Sequence, residues 1–478
     1  MDDKNKREEG GEEEKRGSAW DYPRLLIENR NYLAIFCASV FQQLGNWANL
    51  IASMKIVEEV GVQTGFNAGL IFFLRQIPYV LLFPIAGACA DKFDRKTVMI
   101  VSNGLSCLVA GSFVFLTMMG DNKLGMLCVL IFLKNSASSF YSPCKRAAVP
   151  MVVSRQQLHI AMTMDGIAWS SMLAVGAALG GLMTSQLGLV NCFLLDSLGF
   201  VLSITCLLFL PRLKQDQGNT GQVAGSGEDE PPEMKRVDSK TLKAESSSGG
   251  AKGGFIKDTL ALFGPSHRVS LLYCTMKATG GLIWGPADVL NLKWSEIAKI
   301  QINGDQPLTL GFAYAFVGVG CFVGPPLSNV FFGKEEAGLI RAILFGIGCL
   351  TSGYACWSFA FANFTIVMLG NLLRSAASAV IWIKSTLLIQ LYSDARFLGR
   401  LFALELAFYT IANSLSMFAA GLLLDNGVLD VRKISASLLL LSVVMFAVWV
   451  LLVRRKRGEE RSPREDVEYE MVSTTGDE

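Results

Sequence analysis

The sequence predicts an all-α membrane protein, with twelve transmembrane helices in two pseudo-symmetric six-helix bundles. Three observations carry that prediction. The 478 residues are 51% hydrophobic and 18% charged, and the apolar ones gather in runs of about 20, enough to cross a hydrocarbon core of roughly 30 Å. Twelve such runs occur, six on each side of a polar stretch over 212–257. Lys and Arg fall in alternate connections between the runs. A soluble domain cannot bury so many all-apolar helices, whereas lipid tolerates only backbone whose polar groups are satisfied internally.

Residues 1–30 form a tail with seven Lys/Arg and nine Asp/Glu. Lacking an apolar core it is no signal peptide, and its acid content excludes an organellar transit peptide, so the first span is expected to act as its own insertion signal. The N-terminal bundle, 31–211, holds spans near 31–55, 67–90, 97–120, 124–144, 157–183 and 188–211. In the first, Gln42, Asn46, Asn49 and Ser53 lie at offsets of 4, 3 and 4, one helix face. That stripe predicts the wall of a water-filled cavity, against a competing reading as interhelical hydrogen bonding. The second span carries Arg75, bends at Pro78 and Pro84, and ends in a charged hairpin from Gly87 to Lys96. The fourth shows Lys134, Ser138 and Ser142 in a stripe, the fifth Asp165, and the sixth Asp196 without polar neighbours, which reads as structural.

The stretch 212–257 is rich in Gly, Ser, Lys and Glu around Pro231 and Pro232, a composition expected to stay disordered. The C-terminal bundle, 258–453, holds spans near 269–292, 308–332, 338–359, 363–391, 398–424 and 431–453, followed by a tail over 454–478. Polar stripes recur at Lys277, Gly281, Trp284 and Asp288, at Asn371, Arg374, Ser375 and Ser378, and at Glu405, Tyr409, Asn413 and Ser416. In the eighth span Gly318, Gly320 and Gly324 precede Pro325 and Pro326, which marks a bend or tight packing. A faint repeat relates the halves: KNSASS from Lys134 and RSAASA from Arg374 each place one cation near mid-span before small residues.

Connections after the even-numbered spans carry Lys92, Arg95 and Lys96, then Lys145, Arg146 and Arg155, the Lys-rich linker, Lys334 and Arg341, and Arg396 and Arg400; Arg454 to Arg457 follow the last span. The alternate connections hold few cations: none in 60–67 or 184–190, then Lys123, Lys299, and Arg432 with Lys433. Both termini and the linker are therefore expected on the cytosolic side.

The hairpin DKFDRK over 91–96, the entry ENRNY over 28–32, LGNW over 44–47, Ser142 and Pro143 with KRAAVP over 145–150, and GRLF over 399–402 together resemble the major facilitator superfamily. The likeness is to its twelve-helix efflux branch, which includes enterobactin and macrolide exporters, and it spans about residues 24–453. It departs at Asn46, where that branch often has Asp, at Ala177, where an efflux-associated Pro is usual, and at Lys134 in place of Arg; at Asp94 most of the superfamily has Gly, though this branch commonly shows DRFDRR. The resemblance implies alternating access around a site between the bundles, probed from each side in turn. It also implies a gating loop of Gly87, Asp91, Lys92, Arg95 and Lys96, with Asp91 docking on the start of the eleventh span near Arg400.

Ionisable groups within spans cost roughly 2.5–3.5 kcal/mol each, so they require partners or a purpose. Gln42, Asn46, Asn49, Arg75, Lys134, Lys277 and Arg374 are the predicted substrate-cavity residues. Lys134 and Arg374, at related places, are expected to face each other across the midplane and to favour an anionic or zwitterionic solute. Glu405 and Asp165 are candidates for proton coupling, since desolvation raises a carboxyl towards working pH; pairing with a basic neighbour is the other reading. Eleven cysteines without metal-ligand spacing and only His159 and His267 give no metal site, and the chain shows no nucleotide loop, cofactor motif, nucleic-acid patch or nucleophile–base set. The expected function is secondary active transport of a small organic solute, as efflux driven by an ion gradient with H+ as the coupling ion; a non-transporting receptor on the same scaffold is the alternative. Membrane lipids are expected partners. Leu25 and Leu26 in an acidic dileucine pattern and Tyr469 in a tyrosine-based pattern point to sorting adaptors, and so to a eukaryotic endomembrane, vacuole- or lysosome-like, or the plasma membrane.

Overall fold

The computed structural model describes residues 21–473 apart from 62, 120–122, 214–267, 334 and 393–394. Among these, fifteen α-helices follow one another without a sheet. A short helix α1 (Asp21–Glu28) leads into α2 (Arg30–Val60), which starts at Asn29, whose side chain accepts from the Tyr32 N–H at 2.9 Å, and stops at Gly61 with φ 70°. The second span is two pieces, α3 (Thr64–Leu81) and α4 (Phe83–Lys92), parted between Pro78 and Pro84 because a proline removes a donor and crowds the preceding turn. Next come α5 (Arg95–Ser112), continued by a 3-10 turn over Phe113–Met118, and α6 (Lys123–Ser138) with α7 (Tyr141–Val152). Helix α8 (Arg155–Leu208) contains the fifth and sixth spans, turning at Gly188 with φ 78°, where the sequence predicted a short loop.

The second half runs α9 (Arg268–Trp284), α10 (Pro286–Ser295), α11 (Gln306–Phe331), α12 (Glu336–Ser358), α13 (Phe364–Leu391), α14 (Ala395–Asp425) and α15 (Val431–Ser473). Pro286 divides the seventh span, so the predicted continuous helix over 269–292 is two. Among the described residues, eight helical stretches are long and apolar enough to cross a membrane, α8 among them as a single stretch. The first span, the broken second and the broken seventh fall outside that count, and the element order is consistent with twelve crossings in the major facilitator arrangement.

The bundle has two ends. The near end carries residues 91–96 and the start of α2; the far end carries the turns at 61–63, at Gly188 and at 296–305. Three apolar clusters make the core. One is built from the second half alone, from Tyr273 to Trp449. One belongs to the first half at the near end, from Leu25 to Leu213. The third joins the halves: Ile51, Ala68 and Phe193 pack with Val289, Leu310, Tyr314 and Met417. Small residues allow this approach. Gly181 of α8 and Gly311 of α11 are so close that a Cβ on Gly181 would stand 2.6 Å from the Pro307 carbonyl oxygen.

Polar contacts repeat the pattern. Asp425, at the far end of α14, accepts from the Gly65 and Phe66 N–H groups at 3.0 and 2.5 Å and so caps α3 from the opposite half. Lys293 donates to Thr64, and Ser185 to Asp305. Deeper in, Asn413 donates to Gln76 at 3.3 Å. These contacts between the halves lie at the far end and at mid-depth.

The hairpin at 91–96 acts within its own half. Asp94 caps α5 through the Thr97 N–H (3.1 Å) and hydroxyl (2.7 Å), and its other oxygen accepts from the Leu213 N–H at 2.7 Å. Lys96 donates to the Leu208 and Leu210 carbonyls at 2.9 and 2.5 Å, at the end of α8. Arg95 is buried and donates to the Ala90 and Ala147 carbonyls. Lys92 is exposed and Gly87 half-buried. The side chains of Asp91, Arg400 and Tyr469, and with the first two the expected docking, lie outside what the structure describes, as do all but the first residues of the linker. Leu25 corrects a prediction: it is 2% exposed within the near-end cluster, so a dileucine signal there is not free for an adaptor.

Partial burial works to raise the Asp94 carboxyl, but the Thr97 and Leu213 hydrogen bonds and the Lys96 charge outweigh it and hold it below its ordinary range. Its contribution is therefore present above the ordinary carboxylate value and lost as pH falls through the lower folded value. Asp94→Ala should cost about 1–2 kcal/mol of unfolding free energy, a cap plus a second backbone bond, measured by denaturant unfolding in detergent at neutral pH. The difference from the parent chain should shrink as the pH drops below 4, in the range of an ordinary carboxylate.

Candidate functional site

Mid-depth in the first half, the Lys134 ammonium of α6 pairs with Asp196 of α8, at 2% and 0% side-chain exposure. It also lies 5.4 Å from the Phe200 ring centre and 6.0 Å from that of Phe113. Lys134 is thus sealed inside its own bundle, and the expectation that it faces Arg374 across the midplane is corrected: a buried ammonium needs its counter-ion, and Asp196 supplies it. The structural reading of Asp196 holds. Arg75 on α3 lies within electrostatic range of the same carboxylate and of Tyr314 in the other half, and its Nη1 has no hydrogen-bond partner. Two cations share one anion here, which leaves one positive charge over.

The first-span stripe is also corrected. Gln42, Asn49 and Ser53 are buried: Gln42 donates to Asn103 at 3.4 Å, Asn103 to Ser203 at 2.8 Å, and Ser53 to the Asn49 carbonyl at 2.7 Å. The Gln42–Asn103–Ser203 chain joins three helices of one bundle, the Ser53 bond lies within α2, and of the four stripe residues only Asn46 is half-exposed. Asp165 lies nearer the near end, paired with Lys145, which also donates to Ser39 at 2.8 Å.

In the second half Arg374 of α13 donates to Asn371 at 2.8 and 3.1 Å, and Asn371 donates to Asn291 of α10 at 2.9 Å. The guanidinium lies 4.9 Å from the Trp357 ring centre and within electrostatic range of Asp288. Tyr314 stands beside Asp288 and against Trp47 of the first half, with ring centres 5.6 Å apart. Lys277 of α9 pairs with Glu405 of α14 at 2.9 Å, both side chains 4% exposed. Its ammonium donates to Thr386 at 2.7 Å and lies 4.2 Å from the Trp382 ring centre. Glu405 is therefore paired, as the second of its two readings expected, and one of its oxygens, Oε1, has no partner.

The structure thus brings together Arg75, Asp288, Tyr314 and Arg374 near the plane where the halves part, with Lys277 and Glu405 beside Trp382. Sequence reasoning missed Gln76, Tyr314, Trp382 and Asp425. The signals were a tryptophan in mid-span rather than at an interface belt, and a carboxylate ending a span opposite a helix start without its own cap.

Breaking a buried pair leaves an uncompensated charge and costs about 3–5 kcal/mol, whereas replacing both members is often near neutral. Glu405→Gln alone should lower unfolding stability by about that amount, and Lys277→Met with Glu405→Gln should recover most of it; thermal unfolding of the four-member cycle in detergent checks both.

Residues 26–220 match the family model described as MFS_3, transmembrane secretion effector. An uncharacterized MFS-type transporter, YfiS, of Bacillus subtilis (strain 168) is 25% identical over 188 residues, 39% of this chain and 44% of the relative. The lysophospholipid transporter LplT of Yersinia pestis is 26% identical over 186 residues, 39% and 43%. The aligned stretch spans less than half the length of the curated relatives it matches, and these relatives are bacterial, so they give no support to a eukaryotic endomembrane. Among solved structures, a bacterial homologue of the iron transporter ferroportin in its inward-facing state has a TM-score of 0.61 at 15% identity over 88% of this chain and 98% of that one. The POT family transporter PepTSo has 0.64 at 11% identity, over 90% and 98%. The likeness to enterobactin and macrolide exporters finds no support among these. The protein is a multi-pass membrane protein with the major facilitator fold, related through its first half to MFS-type transporters.

Proposed function

We propose that the protein is a secondary active transporter that moves a small organic solute by alternating access. One observation carries the reading: the halves are joined at the far end by bonds that can be broken one by one, beyond a mid-depth cluster of charges contributed by both. Asp425 on α3, Lys293 on Thr64 and Ser185 on Asp305 are the far-end bonds. With the near end cytosolic, as the Lys/Arg bias predicts, a closed far end fits an inward-facing state. The buried pairs lie within one bundle each, so rocking the bundles exposes no new unpaired charge.

The surplus charge at Arg75 and the split cluster around Tyr314 favour an anionic or zwitterionic solute, and the name of the lysophospholipid relative fits that class. Efflux is the direction the sequence resemblance favours. Proton coupling would run through Glu405, whose protonation releases Lys277.

Flux of labelled amphiphilic anions and zwitterions into proteoliposomes tests this reading. Cysteines replacing Thr64 and Lys293, bridged by a short reductant-cleavable bis-methanethiosulfonate, should stop flux, and a reductant should restore it; flux through the bridged protein would rule out alternating access. Arg75→Gln should lower the rate at least tenfold at unchanged yield, a rise of about 1.4 kcal/mol or more in the barrier.

A further inference from the structure

The Lys277–Glu405 pair sits among three mutually touching rings. Trp382 and Tyr409 meet edge to face with centres 4.9 Å apart, and Trp284 lies 6.1 Å from Tyr409 and 6.4 Å from Trp382. Each of the pair and Trp382 stands about ten residues from the near end of its helix, roughly 15 Å along the axis at 1.5 Å per residue. The three rings are only partly buried, unlike the pair.

Two buried atoms here lack partners, and they are of opposite kinds. Glu405 Oε1 is an acceptor with no donor, and Trp284 Nε1 is a donor with no acceptor. Buried polar atoms are rarely left so, and each unmade bond costs about 1–3 kcal/mol. The Lys277 ammonium, over Trp382 and beside Thr386, shows that the ring faces accept a cation.

Charge counting selects the ligand. A solute with one positive charge, bound to Glu405, leaves Lys277 without its counter-ion. A solute with one negative charge, bound to Lys277, leaves Glu405 without its own. A zwitterion that inserts between them pairs all four charges and changes the net charge of the site by nothing, which a low-dielectric interior requires.

We infer that Lys277, Glu405, Trp284, Trp382 and Tyr409 form a zwitterion subsite. It takes an ammonium bearing at least one N–H on Glu405 Oε1 against the Tyr409 and Trp382 rings, and an acid group on Lys277 Nζ and Trp284 Nε1. The inference rests on the transporter reading and narrows its solute class. An N–H is required because Oε1 is an acceptor; a quaternary ammonium gains the rings alone.

The test is thermal unfolding of the purified full chain with four amino-acid or dipeptide zwitterions: glycine, leucine, phenylalanine and leucyl-leucine. Each is set against its amide, a cation, and its N-acetyl derivative, an anion. At least one zwitterion should bind tenfold or more tightly than both of its singly charged counterparts, and its N-trimethyl form should lose most of that gain. Lys277→Met with Glu405→Gln should abolish the shift, its ligand-free melting temperature serving as the control for folding, and Trp382→Leu should weaken it several-fold. No shift from any zwitterion, or equal shifts from the singly charged partners, overturns the subsite. Flux of a singly charged solute in proteoliposomes would then leave the transporter reading standing, whereas absence of flux for every solute class would remove that reading as well.

Discussion

An ion inside a low-dielectric bundle must have its counter-ion in reach, and the rest of this structure follows from that constraint. Lys134 with Asp196 ties α6 to α8, Lys277 with Glu405 ties α9 to α14, and Arg374 reaches Asn371, Asn291 and Asp288 to tie α13 to α10. Every one of these ties closes within one six-helix half. The two halves are thereby stiffened separately, and these ion pairs do not oppose their moving apart. Arg75 is the exception, since it shares Asp196 with Lys134 and faces the second half through Tyr314.

Besides the apolar cluster that the halves share, the hydrogen bonds that resist separation are concentrated at the far end and are modest bond by bond. The Asp425 carboxylate on the first N–H groups of α3 is a helix cap borrowed from the other half, and caps are worth about 0.5–2 kcal/mol. Helix α3 has no side-chain cap of its own, since Gln63 at that position is left-handed and makes no capping bond. Opening this end exposes those N–H groups to water, which can satisfy them, so the penalty stays small. A few such bonds give two states separated by a few kcal/mol, the range in which a ligand shifts a population.

Much of the fold was legible because lipid simplifies the code: a run of about 20 apolar residues has few alternatives. The breaks were legible at Pro78 and Pro84, since the physics is local, and less so at Gly188, where one left-handed residue replaces a loop. The candidate site was legible as a set of ionisable residues but not as a set of pairs. The repeat relating Lys134 to Arg374 suggested symmetry, yet their acids come from non-equivalent helices, α8 and α10, because only the cations repeat. Helical spacing likewise put Gln42, Asn49 and Ser53 on one face, but periodicity does not say whether that face meets water or a neighbour.

The hairpin at 91–96 shows how one carboxylate can hold two elements. Asp94 caps α5 with one oxygen and holds the Leu213 N–H with the other. Lys96 meets the carbonyls that end α8, where a helix terminus favours a cation. These bonds fasten the third span to the end of the sixth, at the point where the chain leaves for the second half. A glycine here could do neither, so the near end of the first half would be braced by Lys96 and Arg95 alone. The hairpin therefore fixes where the first bundle ends and the linker begins, whichever way the halves are turned.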